Sequence, residues 1–442
     1  MTKSHVDLIV SGDYLLPEAS QQSLIKNGAV AIAGDTIAAL GKSSTILEQY
    51  STDKHLHTDH GLIMPGLINT HTHAPMACFR GLADDLPLMT WLEEHIFPVE
   101  ASLTPDMVYQ STLLSIAEMI KSGTTSFCDM YLFSKEVARA AAESGMRALI
   151  GEVLYDFPSP CYGDLENGFS YVDDLFDQYQ DHPLISITAT PHSVYTCAPE
   201  LLTRLGRVAE DHGSLYSIHL SENLAELNTC KDRFGCSPVE HLDKLGLLGP
   251  QTLAAHCVVL SDKDIETLAE QQVKVAHCQE SNMKLASGTA PVVRMLQAGI
   301  TVSIGTDGAA SNNDVDMFGE MNTVAKIHKV DRMDATAMNA EQTLYAASLG
   351  GAQALGHQHK TGNLVTGKKA DLIVLNMNQP HLTPLYNIPS HLVYAARGAD
   401  VLHSVINGRI LMENKTLQSL DENKILDQMR IIGQNITRHG KD

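Results

Sequence analysis

A chain of 442 residues, 44% hydrophobic and 19% charged, has the composition of a globular protein of two or three domains, one of which could be a β/α barrel of about 250 residues. Its formal charge of −21 argues against a nucleic-acid partner, because a polyanion needs basic patches. The opening residues lack the apolar core of a signal peptide, and no run of about 18 apolar residues marks a membrane span, so a cytoplasmic protein is expected. Eight scattered cysteines without a C-x-x-C pair fit reduced, mostly buried thiols.

Residues 6–62 read as short strands, Asp7–Ser11, Gly28–Ala33 and Thr36–Leu40. Gly12-Asp13 and Gly34-Asp35 punctuate them, and helical character occurs only near Ser43–Tyr50. From about 65 to 360 strands and helices alternate. Eight apolar runs qualify as strands: Gly66–His71, Thr124–Asp129, Arg147–Glu152, Leu184–Pro191, Leu215–His219, Thr252–His256, Val273–His277 and Thr301–Gly305. Thr104-Pro105 opens a helix through Val108, Leu113, Ile116 and Ile120 that Gly123 closes. Val137–Ser144 stops at Gly145, and Pro291–Ala298 stops at Gly299. Ser237-Pro-Val-Glu240 reads as a capping box. This alternation predicts an α/β protein with a (β/α)₈ TIM-type barrel. An open doubly wound sheet fits less well, since no early strand is followed by a Gly-rich phosphate turn. Strand character returns after 361, with Asn407-Gly408 as a hairpin turn and a short helix expected from Asp421. Residues 1–64 and 361–442 are expected to form one composite β-sandwich domain, with the barrel of 65–360 inserted between them.

The polar chemistry sits where the strands end. Residues i and i+2 of a strand share a face, so His71 and His73 can present two imidazoles side by side. His219 ends the fifth strand, His256 the sixth, and Asp307 follows the eighth. A barrel brings all these ends to one face. Taken singly, His219 could be a core imidazole and Asp307 a turn cap before Gly308. Taken together they read as a metal site. Three imidazoles and a carboxylate suit Zn²⁺ or Fe²⁺. The fourth strand ends without a lysine that could bridge two ions, so one metal is expected. Glu222, three residues after His219, is a candidate general acid–base, or else an ordinary first-turn glutamate. His256 could orient or polarise a water. The rival from another class is a non-catalytic barrel that keeps a structural metal.

Pro65–His73, His219-Leu-Ser-Glu222, Ala254-Ala-His256 and Gly305–Asn313 resemble the amidohydrolase superfamily, in its cytosine deaminase and chlorotriazine hydrolase branch. His73–Asp85, Pro98-Val-Glu100, Thr190–Tyr195 and Ser281–Gly288 are similar to the 5′-methylthioadenosine/S-adenosylhomocysteine deaminases within it. The resemblance implies that His71, His73, His219 and Asp307 bind one divalent metal, Zn²⁺ or alternatively Fe²⁺. It implies that Glu222, His256 and Asp307 move protons. Glu100 and His192 would contact the substrate, with Glu100 on ribose hydroxyls; by position alone Glu100 reads as a surface residue before a helix, and Trp91, the only tryptophan, could wall the pocket or serve in the core or a subunit contact. The implied reaction removes the 6-amino group of an adenosine-type nucleoside as ammonia. Guanine or 8-oxoguanine deamination and chlorotriazine hydrolysis are the alternatives. A homo-oligomer, dimer or tetramer, is expected. The loops Ala77–Glu100 and Ser281–Gly288 are expected to cover the pocket. One departure stands out: no Lys or Arg occurs between Ala148 and Thr203. A partner for an amino-acid carboxylate would have to come from elsewhere, such as Arg80, so a neutral nucleoside is expected to be favoured.

Overall fold

The computed structural model describes residues 3–86 and 90–439. The eight expected strands are present: β1 (Leu67–Thr72), β2 (Thr124–Tyr131), β3 (Arg147–Leu154), β4 in two pieces (Ile185–Ile187 and Thr190–Pro191), β5 (Tyr216–Leu220), β6 (Thr252–His256), β7 (Lys274–His277) and β8 (Thr301–Ile304). β1 to β4 pair in parallel in one sheet and β5 to β8 in another. Every residue of β2 and β3 is buried, as in strands covered on both faces, and β2 buries Thr124, Thr125, Ser126 and Asp129 with its apolar residues. The sheets meet at two seams. On one side parallel bridges join Ala189 to Tyr216 and Ser193 to His219. On the other, Asp307 N donates to His71 O at 2.9 Å and Thr70 Oγ1 donates to Ile304 O at 2.9 Å.

Local signals set the intervening helices. Thr104 caps the helix Pro105–Lys121 by accepting from Met107 N, and Gly123 leaves it with φ 87°. Ser134–Ser144 ends on Gly145 at φ 83°. The capping box expected at Ser237 is only half made. Ser237 Oγ accepts from Glu240 N, but donates its own proton to Asp264, and Glu240 pairs with Lys244 at 3.2 Å.

The two ends of the chain share one eight-stranded sheet. Its central strand, His55–Pro65, pairs in parallel with Leu8–Leu15 and antiparallel with Leu372–Asn376. Gly12-Asp13 does not break a strand there. Leu8–Leu15 runs through it, and Gly12 marks a register shift where a Cβ would stand 2.7 Å from Gly61 O. Asn407-Gly408 makes the expected hairpin, both residues at positive φ. The tail is not short: Glu422–His439 is an 18-residue helix that buries Ile425, Ile432 and Ile436. A buried ion pair ties this sheet to β3. Arg147 donates Nε to Asp371 Oδ2 at 2.7 Å and Nη2 to Asp371 Oδ1 at 3.1 Å. All eight cysteines are free thiols, six of them buried. Among the described residues no helix is long and apolar enough to cross a membrane.

Candidate active site

His71 and His73 leave the end of β1 with ring centroids 4.9 Å apart. His219 arrives from β5, His256 from β6, and Asp307 from the turn after β8, where it holds φ 63°. Carbonyls orient two of the imidazoles: His73 Nδ1 donates to Met130 O at 2.5 Å and His219 Nδ1 to His192 O at 2.8 Å. With Nδ1 protonated, each Nε2 carries a lone pair, and these two atoms face each other at 3.2 Å. Asp307 Oδ1 lies 3.2 Å from His73 Nε2 and 3.5 Å from His71 Nε2. His71 Nε2 and Asp307 Oδ1 are buried without a hydrogen-bond partner. Lone pairs and an orphaned carboxylate oxygen converging in a buried space fit a divalent cation, and the donor set suits zinc. Burial holds His71 down at about 4, in the neutral form a ligand needs. Burial also opposes a charge on His73, but Asp307 and Asp129 outweigh it and raise His73 to about 9. The carboxylates thus call for positive charge at this point. Asp307 is steadied through Oδ2, which accepts from Ser281 at 2.6 Å and Ser311 at 2.9 Å.

The proton-handling candidates flank this cluster. Glu222 is buried, and that burial raises its carboxyl against the opposing pull of His256. Ser287 Oγ donates to Glu222 Oε1 at 3.4 Å. His256 takes a left-handed backbone at φ 71°, and its Nδ1 meets Asn282 Oδ1 at 2.9 Å. Its ring lies 5.5 Å from those of His71 and His219.

A cavity opens from these groups. Glu100, His192 and Trp91 all line it. Tyr131 OH donates to Glu100 Oε1 at 2.5 Å, so Glu100 is not the free surface residue its position before a helix suggests. Burial pushes Glu100 up, and Tyr131 counters. His192 bonds Thr196 Oγ1 at 2.9 Å and is held near 3 by burial, hence neutral. Trp91 is a wall: buried, with its indole N–H on Ala83 O at 3.1 Å. Of the two loops expected to cover the pocket, Ser281–Gly288 begins inside the helix Gln279–Lys284 and Ala77–Glu100 ends in the helical stretches Trp91–Ile96 and Phe97–Glu100; Leu285 lines the cavity from the first, and Leu92, Ile96 and Phe97 line it from the second. Residues 87–89 of that second loop lie outside the described residues. Arg80 does not line the cavity. It is paired with Glu118 instead, so it offers no carboxylate partner there.

Several supporting residues escaped the sequence reading. Asp129 accepts from Thr72 Oγ1 at 2.8 Å and Ala74 N at 2.5 Å, bracing the turn that carries His73. Glu226 accepts from Ser221 N at 3.0 Å and Glu222 N at 2.7 Å, and burial raises it to about 7. Ser281, Asn282 and Ser311 lie in segments singled out for their resemblance, but nothing local assigned them Asp307 or His256 as partners.

The Amidohydrolase family model matches residues 62–411. A 5-methylthioadenosine/S-adenosylhomocysteine deaminase of Syntrophobacter fumaroxidans is 50% identical over 99% of this chain and 100% of its own. A 5′-deoxyadenosine deaminase of Methanosarcina mazei is 45% identical over 96% of each chain. Among solved structures, an adenosine deaminase from Xanthomonas campestris with bound zinc has a TM-score of 0.96 at 36% identity, covering 99% of this chain and 100% of that one. The zinc complex of an atrazine chlorohydrolase from Arthrobacter aurescens has a TM-score of 0.90 at 21% identity over 96% of this chain and all of that one, a likeness of fold.

Proposed function

This chain belongs to the amidohydrolase family, and from that premise we propose a metal-dependent hydrolytic deaminase that turns the 6-amino group of an adenosine-type nucleoside into the 6-oxo group and releases ammonia. The observation that carries the reading is the convergence of His71, His73, His219, His256 and Asp307 in two overlapping donor groups, at a cavity that His73, His219, Glu222, His256 and Asp307 line. Relatives named as deaminases of such nucleosides, matched along nearly the whole chain, support it.

His71, His73, His219 and Asp307 would hold a single divalent ion, Zn²⁺ by donor type with Fe²⁺ as the alternative, whose Lewis acidity lowers the pKa of water. The chain's own residues do the rest. Glu100, steadied by Tyr131, accepts hydrogen bonds from the two ribose hydroxyls. Glu222, buried beside the cluster, gives a proton to the purine ring nitrogen, so that C6 loses aromatic protection as it is attacked. Asp307, with His256 beside it, takes one proton of the attacking water and passes it to the leaving amine, and the proton that the C6 hydroxyl loses as the oxo group forms returns to Glu222. Trp91, Leu92 and Leu285 exclude bulk water.

The frame for this chemistry is read as a closed (β/α)₈ barrel over 65–360, with 1–64 and 361–442 as a composite β-sandwich domain. The two seams between the sheets support the barrel, and the single sheet shared by the chain ends supports a composite terminal domain. The test is ammonia release by the zinc-loaded protein from adenosine, 5′-methylthioadenosine, 5′-deoxyadenosine, guanine and aminotriazines. Absence of ammonia from every adenosine-type nucleoside would sink the proposed substrate class.

A further inference from the structure

The cavity continues outward from the histidine cluster along a row of rings. His219 and His192 have centroids 4.9 Å apart, and His192 and Tyr155 6.4 Å. Tyr155 and Phe157 stack at 3.9 Å and 15°, and Phe157 meets Phe97 at 6.2 Å. Tyr155 is buried, whereas Phe157 is 41% exposed, so the row runs from the reacting centre to the mouth. On the deaminase reading, the base occupies the inner end and the sugar hydroxyls meet Glu100. The part of the nucleoside left for the outer, aromatic end is its 5′ substituent.

Among the described residues, that end offers an anion no cationic partner. Among the described residues lining the cavity there is no lysine or arginine, and residues 87–89 are Pro, Leu and Met. Nearby cations are engaged elsewhere. Arg80 pairs with Glu118, and Lys284 pairs with Asp84 at 2.6 Å and Ala310 O at 3.0 Å. Arg233 donates to Tyr195 O at 2.8 Å. Aromatic faces are negative and favour apolar groups. An ammonium alone would find faces to rest on, but a carboxylate on the same carbon would be desolvated with no cation opposite.

We propose that Phe97, Tyr155 and Phe157 form a subsite for an uncharged, apolar 5′ substituent, and that this subsite rejects 5′ extensions carrying an amino-acid carboxylate. The proposal rests on the deaminase reading and narrows it. Of the activities named for the Syntrophobacter relative, it keeps 5′-methylthioadenosine and removes S-adenosylhomocysteine.

The test compares kcat/KM of the zinc-loaded protein on 5′-methylthioadenosine, 5′-deoxyadenosine, adenosine and S-adenosylhomocysteine. S-adenosylhomocysteine should be at least about a hundredfold poorer than 5′-methylthioadenosine, the scale of one unpaired buried charge. Phe157→Ala should cut the preference for 5′-methylthioadenosine over adenosine by about tenfold, mainly through KM, and Phe157→Leu should restore most of it. S-adenosylhomocysteine turned over within a few-fold of 5′-methylthioadenosine overturns the inference while leaving the deaminase reading intact. So does a Phe157→Ala variant that loses both nucleosides equally. Failure of all four nucleosides overturns the deaminase reading itself, and this inference with it.

Discussion

His73 Nε2 and His219 Nε2 face each other at 3.2 Å while their Nδ1 atoms are held by the carbonyls of Met130 and His192. Two lone pairs cannot share that space unless a cation or a proton lies between them. Removing the metal with a chelator should therefore abolish turnover and lower the melting temperature by several degrees, and adding back Zn²⁺ should restore both. His219→Ala should lower bound metal to well under one ion per chain and turnover by at least about a thousandfold. Full activity in metal-free protein would refute the assignment.

Glu222 is separable from the metal cluster, because nothing in the donor set depends on it. Glu222→Gln should keep about one metal per chain by elemental analysis, yet lose roughly a hundred- to ten-thousandfold in kcat. Unchanged turnover would remove Glu222 from the mechanism.

Tyr131 lines the cavity and holds Glu100 through its hydroxyl. Tyr131→Phe should raise KM for nucleosides by about tenfold and change kcat little, because it frees the carboxylate to turn without removing it. Equal losses in kcat and kcat/KM would instead place Tyr131 closer to the reaction.

Glu152 gives a pH signature away from the metal. It is buried on β3, accepting from Ser134 N at 2.7 Å, and burial raises its carboxyl from 4.5 to about 7. Between those values the folded protein binds more protons than the unfolded chain. Its contribution is therefore fully present below about 4.5 and is lost as pH rises through about 7. Glu152→Gln cannot titrate, so its stability relative to the parent should improve by about 2–3 kcal/mol between pH 5 and 8. Thermal melts across that range measure the slope, and parallel curves would contradict the prediction.

Arg147 and Asp371 test the join between the terminal sheet and β3. Arg147→Met leaves a buried carboxylate without its ion pair and should cost about 3–5 kcal/mol of stability, and Arg147→Met with Asp371→Leu should recover much of it. Turnover per folded molecule should stay within about twofold, since neither residue lines the cavity. Denaturant titration alongside an activity assay separates the two effects.

The sequence by itself determined whatever depends on local periodicity. Apolar runs placed eight strands within a few residues, glycines at positive φ stopped the helices, and the two-residue period put His71 and His73 on one centre. His55–Pro65 was missed because it joins two patterns. Its first half alternates exposed and buried residues, and its last five are buried throughout. The tertiary structure alone decided which side chains meet across long stretches of chain: Asn69 with Thr306, Asp129 with the turn after β1, Ser281 and Ser311 with Asp307, and Arg80 with Glu118 rather than with the cavity. Such pairings arise when packed elements bring distant residues within hydrogen-bond reach, and spacing along the chain holds no record of that distance.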